Sequence, residues 1–211
     1  DEINRTSPKT QSALLQIMEE YRVTVDGETY DLPEPFMVIA TQNPIGSIGT
    51  QKLPESQMDR FMVKLSMGYP SVEDEITIMK SRSENDKRKI LSECVLDNGD
   101  IQAIKEAVSD IYVDDSIYEY VANIVDKTRH RENIIQGVSP RGSISIISMA
   151  KAEAFLRGNE YVLPSDIKNI AVETLAHRLI TNVAGAAGNE AAKKEITDIL
   201  RMIPVPKMQE K

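Results

Sequence analysis

The chain has 211 residues, 33 acidic and 25 basic side chains, a net charge of −8 and a pI near 4.9. At 41% hydrophobic and 27% charged, with a mean hydropathy of −0.32, its composition is that of a globular protein rather than a disordered chain, and no apolar run approaches the roughly 20 residues of a membrane span. The acidic balance argues against broad contact with nucleic acid phosphates, so neither nucleic acid nor membrane is an expected partner. The single cysteine, Cys94, has no internal disulfide partner, and the start carries no signal-peptide pattern. A reducing, cytoplasmic setting is expected.

In chain order, Asp1-Glu2 comes first, followed by Ser7-Pro8, which reads as the cap and first position of a helix running to about Glu20 with Leu14, Leu15, Ile17 and Met18 mostly on one side. Two short strands then flank Asp26-Gly27, the pair that a type I′ hairpin turn prefers. Phe36 to Ala40 is a continuous apolar run of strand length, as in a parallel sheet covered on both faces, and it ends on the polar Thr41-Gln42-Asn43-Pro44. In open α/β sheets that carboxyl edge is where ligands bind. A glycine-rich loop from Gly46 to Gly49, a short helix ending near Arg60-Phe61 and a strand at Met62 to Leu65 complete this part.

From Tyr69 the strand signals fade. Ser71 and Asp74 cap a helix through about Ser81, and further helices are expected at about 100–109, 115–129, 140–156, 165–180 and 190–201, with Ile144, Ile147, Ala150 and Ala154 at helical spacing. The expected organisation is an α/β part over residues 1–69 and an all-α part over residues 70–211.

Five polar residues at four sites carry a chemical logic. Asp1 and Glu2 end one expected strand, Asn43 ends the next, Arg60 closes a short helix and Arg141 opens another. Nucleoside triphosphate hydrolysis uses such a set: a carboxylate for the metal, a carboxylate near the attacking water, a polar group to orient that water, and cations for phosphate charge. Each has a plainer reading by itself. Asp-Glu is also an ordinary acidic surface pair, Asn43 before a proline also makes an Asx-turn, and Arg60 also pairs with Asp59 or Glu55. Arg141 in a first helical turn opposes the helix dipole, which points to an anionic partner.

Together these segments resemble a known family. Asp1-Glu2-Ile3-Asn4-Arg5, Pro8 to Leu15, Met18-Glu19-Glu20, the hairpin Val23 to Gly27, Ala40 to Pro44, Leu53-Pro54-Glu55 and Asp59-Arg60-Phe61 look like MoxR-type AAA+ ATPases. Gly137 to Gly142, Tyr161 to Asp166 and His177-Arg178 look the same, in family order and over nearly the whole chain. The resemblance implies part of a P-loop AAA+ core, a parallel sheet with an inserted β-hairpin, followed by a helical lid. It implies Asp1 and Glu2 as the Walker B pair, Asp1 holding Mg²⁺ through water and Glu2 acting as the catalytic carboxylate. Asn43 corresponds to sensor 1, Arg60 to an arginine finger that reaches a neighbouring subunit, and Arg141 to sensor 2. No role follows for Arg5 or Lys9.

The departure is the Walker A loop, G-x-x-x-x-G-K-[ST], which the 211 residues do not contain; Gly46 and Gly49 lack its spacing and its Lys-Ser/Thr ending. The expected identity is therefore the distal part of an ATPase core plus its lid, inactive by itself. In the complete parent, the resemblance implies ATP hydrolysis with Mg²⁺ that drives chaperone-like remodelling, maturation or metal insertion of partner proteins. It further implies a homo-oligomeric ring, often hexameric, and partners with von Willebrand factor A domains. The rival readings are a non-catalytic interaction module and a magnesium-chelatase-like AAA+ subunit. His130 at a basic helix end and His177 beside Arg178 read as structural, since no metal-ligand cluster accompanies either.

Overall fold

The computed structural model describes residues 1–42, 53–83, 94–183 and 186–206. Its architecture is a small α/β part followed by a helical one. The first helix forms as its cap dictates: Ser7 Oγ accepts the Thr10 N–H at 3.2 Å, Pro8 fills the first turn, and α1 runs Pro8–Glu20. Its buried side is narrower than the sequence suggests, holding Leu15 and Gln11 while Leu14 faces solvent. Gln11 is tolerated there because its amide donates to the Ile3 and Thr6 carbonyls at 3.1 and 3.3 Å. After Tyr21, β1 (Arg22–Val25) pairs antiparallel with β2 (Glu28–Asp31). Asp26 and Gly27 have φ of 52° and 86°, the two positive values that the expected turn requires.

Two expected strands take another form. Residues 36–40 join no ladder among the described residues, and Met37 and Ile39 are 80% and 83% exposed rather than covered on both faces. The backbone bond beside this run goes from the Ile3 N–H to the Thr41 carbonyl, 3.0 Å. Residues 62–65 form no strand either, because the Lys64 N–H donates at 3.0 Å to the Glu173 carbonyl of a later helix. A strand needs a neighbour along its edge, and neither run has one among the described residues. The glycine-rich loop 46–49 and Asn43 lie outside them.

The helices are α2 (Glu55–Met58), α3 (Val72–Ser83), α4 (Asn98–Asp110), α5 (Asp115–Arg129), α6 (Pro140–Leu156), α7 (Pro164–Leu175) and α8 (Ala186–Met202). Ser71 and Asp74 cap α3 as expected, the Asp74 N–H reaching Ser71 Oγ at 3.1 Å. A reciprocal box of Asp97 and Asp100, both bonds 2.9 Å, starts α4 slightly earlier than the sequence suggests. The expected helix 165–180 ends at Leu175, after which Ala176–Arg178 tighten into one 3₁₀ turn. That turn frees Ile180–Thr181 (β4) to pair antiparallel with Ile134–Gln136 (β3), so the second part is not purely helical.

The larger core lies among α5 to α8, where Ile117, Ile124, Ile146, Ile167, Leu175 and Ile196 are fully buried. In α6 the buried stripe is Gly142, Ile146, Ala150 and Ala154, while Ile144 is 69% exposed. The small residues of this stripe, Gly142, Ala150 and Ala154, let α7 approach closely. A second, smaller core of Ile3, Leu15 and Leu53, flanked by Met18, Ala40, Met58 and Phe61, ties the first residues to α1 and α2.

Candidate functional site

Asp1 and Glu2 are held against Thr41. The Thr41 hydroxyl donates to Asp1 Oδ1, the Glu2 N–H donates to Thr41 Oγ1 at 2.9 Å, and the Ile3 N–H donates to the Thr41 carbonyl. Glu2 sits at φ 51°, ψ 50°, a left-handed conformation that costs a non-glycine residue about 1 kcal/mol. These flanking bonds hold it there. Its carboxylate forms an ion pair with Arg5 Nε at 3.0 Å, which gives Arg5 a partner that the sequence does not reveal.

Arg60 and Arg141 are brought together on one carboxylate, that of Glu19 in the last turn of α1. Arg60 Nη1 donates to Oε2 and Arg141 Nη2 donates to Oε1. Arg60 also reaches the Leu15 carbonyl at 3.4 Å, and its buried Nε has no acceptor among the described residues. The alternative partners Asp59 and Glu55 are not used. The anionic partner that the helix-dipole argument demands of Arg141 is thus Glu19. Among the described residues neither Asp1 nor Glu2 bonds to either arginine. Gln11, which touches Ile3, and Glu19 lie eight residues apart on α1, about 12 Å along the helix.

Asp59 has a different task. Its Oδ1 accepts Arg178 Nη1 at 2.6 Å and its Oδ2 accepts the Ser139 hydroxyl at 2.9 Å. Arg178, with a side chain only 1% exposed, also donates to the Phe61 carbonyl at 2.8 Å, to Ser145 Oγ at 3.0 Å and to the Thr174 carbonyl at 2.9 Å. Burial lowers its pKa from the ordinary arginine value, and Asp59 opposes that shift. His177 Nε2 lies 3.0 Å from the same Phe61 carbonyl. Burial lowers the His177 pKa to about 4, helped by the charges of Arg178 and Lys64, so near neutral pH the ring is uncharged and Nε2–H donates to Phe61.

The segments that stand out in the sequence therefore meet in space. Ser139 binds Asp59, Pro140 fills the first turn of α6, Arg141 binds Glu19, and Gly142 leaves no room for a side chain, since a Cβ there would collide with Val138 Cγ1. The buried Asp166 accepts the Leu163 N–H at 2.8 Å and starts α7, whose far end delivers His177-Arg178. Sequence reasoning missed Glu19, Thr41 and the anchoring role of Arg178. All three lie within segments already singled out, but no local pattern names their partners.

Residues 1–63 match the family described as the ATPase family associated with various cellular activities (AAA), and residues 126–199 match the AAA lid domain. YeaC of Bacillus subtilis is 45% identical over 206 residues, which are 98% of this chain and 64% of that protein. Chaperone MoxR1 of Mycobacterium tuberculosis is 35% identical over 99% of this chain and 57% of its own length, and Protein MoxR of Paracoccus denitrificans is 27% identical over 98% and 66%. The crystal structure of a protein from Cytophaga hutchinsonii assigned as an ATPase is 35% identical, with a TM-score of 0.86 over 98% of this chain and 65% of that one. The chain thus spans about 57–66% of the length of these relatives. Its α/β part and helical part are those of an AAA+ core and its lid, and the chain belongs to the MoxR family of AAA+ ATPases.

Proposed function

We propose that the complete protein hydrolyses ATP as a homo-oligomeric ring and uses the cycle for chaperone-like remodelling of partner proteins. The observation that carries this reading is the meeting of Arg60 and Arg141, from separate elements, on the single carboxylate of Glu19. Two guanidinium groups against one carboxylate leave an uncompensated positive charge on a partly exposed surface, which suits a phosphate group.

In this reading Glu2 takes the proton of the attacking water and Asn43 orients that water. The pairing of Glu2 with Arg5 is no obstacle, because the two side chains are 37% and 44% exposed and such a pair is worth about 0.5 kcal/mol. The Mg²⁺ implied by the family suits Asp1, an exposed hard-oxygen carboxylate oriented by the Thr41 hydroxyl, since this ion is commonly held through water and phosphate oxygens with one or two carboxylates. When bound, the ion neutralises phosphate charge.

Arg60 acts on a neighbouring subunit's nucleotide. This follows the resemblance to an arginine finger, and among the described residues neither Asp1 nor Glu2 bonds to Arg60 or Arg141. Arg141, sharing Glu19 with Arg60, serves the same phosphate. We place the division between core and lid near residue 69, the Walker A loop and the remaining sheet in the share of the relatives' length that this chain does not span, and the protein in the cytoplasm. The name of the MoxR1 relative supports a chaperone role, and the resemblance suggests von Willebrand factor A domain proteins as partners.

Replacing Glu2 by Gln in the full-length protein tests the reading. ATP binding is expected to persist while hydrolysis falls about a hundredfold or more. Wild-type turnover by that variant overturns the assignment.

A further inference from the structure

We propose that Glu19 is the positioning residue of the arginine pair: it registers the guanidinium groups of Arg60 and Arg141 on its two oxygens and yields them to a phosphate. The proposal rests on the ATPase reading above. Both carboxylate oxygens are engaged by the pair, Oε2 by Arg60 and Oε1 by Arg141. Glu19 is the one side-chain partner of Arg141 among the described residues, and the helix dipole at the start of α6 gives that cation no support of its own. Without Glu19, the two guanidinium groups repel and have no common anchor.

The chemistry of the carboxylate explains why it serves as a placeholder. Two oxygens on one centre accept two guanidinium groups much as two oxygens of a phosphate do. The side chains of Glu19, Arg60 and Arg141 are 37%, 30% and 46% exposed, so the cluster contributes little to folding and is readily exchanged. A phosphate carries more charge than the carboxylate and takes the pair, while the entropy of ordering two long side chains has already been met by their contacts with Glu19.

The test is steady-state ATP hydrolysis and thermal unfolding of the full-length protein carrying Glu19→Gln, Glu19→Asp or, in parallel, Glu2→Gln. Removing the competing charge in Glu19→Gln is expected to lower KM for ATP roughly threefold, the equivalent of one exposed ion pair. Losing the registration is expected to lower kcat about tenfold. Glu19→Asp, which keeps the charge and retracts it by one methylene, falls between Glu19→Gln and wild type in kcat. A purely structural Glu19 lowers kcat with the folded fraction and leaves KM alone. That result, a raised KM, or wild-type kcat in Glu19→Gln overturns the proposal while an inactive Glu2→Gln leaves the ATPase reading standing. If Glu2→Gln turns over normally, both fall together.

Discussion

Arg178 reaches from the turn after α7 to Asp59, the residue immediately before Arg60, and forms a buried ion pair with it, Nη1 to Oδ1 2.6 Å. Since the Arg178 side chain is 1% exposed and also binds Phe61, Ser145 and Thr174, the lid side holds the backbone on both sides of Arg60. The arginine that the proposed mechanism sends to a phosphate is therefore rooted in the helical part.

Truncating Arg178 takes the guanidinium away from Asp59 Oδ1 and from the Phe61 and Thr174 carbonyls, leaving Asp59 with Ser139 and Phe61 with His177 as their remaining donors. Arg178→Ala is expected to lower the stability of the full-length protein by about 3 kcal/mol in urea unfolding. Arg178→Lys recovers little of it, because an ammonium group cannot span these acceptors as the planar fork does. An Ala variant as stable as wild type would show that the pair does not hold the two parts together.

His177 makes the same junction sensitive to acid. Its folded pKa of about 4 lies below the ordinary 6.5, so the folded state resists protonation more than the unfolded chain does. The contribution is fully present above pH 6.5, declines as pH falls and levels off below about pH 4, with a total of order 3 kcal/mol. His177→Gln, which keeps a donor for the Phe61 carbonyl, is expected to flatten the stability profile between those two pH values. Parallel profiles for the two proteins count against this role.

Gly142 is a matter of space. A methyl group added there would collide with Val138 Cγ1 and lie 3.0 Å from Arg178 Cδ, so Gly142→Ala forces the start of α6 away from both. A loss of about 2 kcal/mol is expected, read as a lower thermal midpoint, together with weaker ATP hydrolysis because Arg141 is the preceding residue. If the melting curve does not move, the helix start has more freedom than this crowding allows.

Arg60→Ala in the full-length protein is expected to bind ATP but hydrolyse it at least about a hundredfold more slowly. Mixed with Glu2→Gln subunits, it should regain activity, because some interfaces then pair an intact Glu2 with an intact Arg60. Mixtures that stay inactive at every ratio speak against action between subunits.

Much of this protein was legible locally. Ser7 before Pro8, Asp26-Gly27 and the Ser71–Asp74 pair each act on backbone groups within a few residues, so composition at short spacing was enough to locate α1, the hairpin and the start of α3. The strand reading failed at residues 36–40 and 62–65 for the complementary reason, since a ladder depends on a neighbour that no local pattern supplies. The helix reading over 165–180 overran because Ala176–Arg178 obey the pull of Asp59 and Phe61 rather than helical periodicity.

By itself the sequence determined the family, through the order of its motifs, and the residue types that a phosphate site uses. Only the tertiary structure decided how they are joined: Glu19 with Arg60 and Arg141, and Asp59 with Arg178. The physical reason is range. Caps and turns satisfy hydrogen bonds within one or two turns of chain, whereas Glu19, Arg60 and Arg141 become partners only when α1, the segment after α2 and the start of α6 pack at one place.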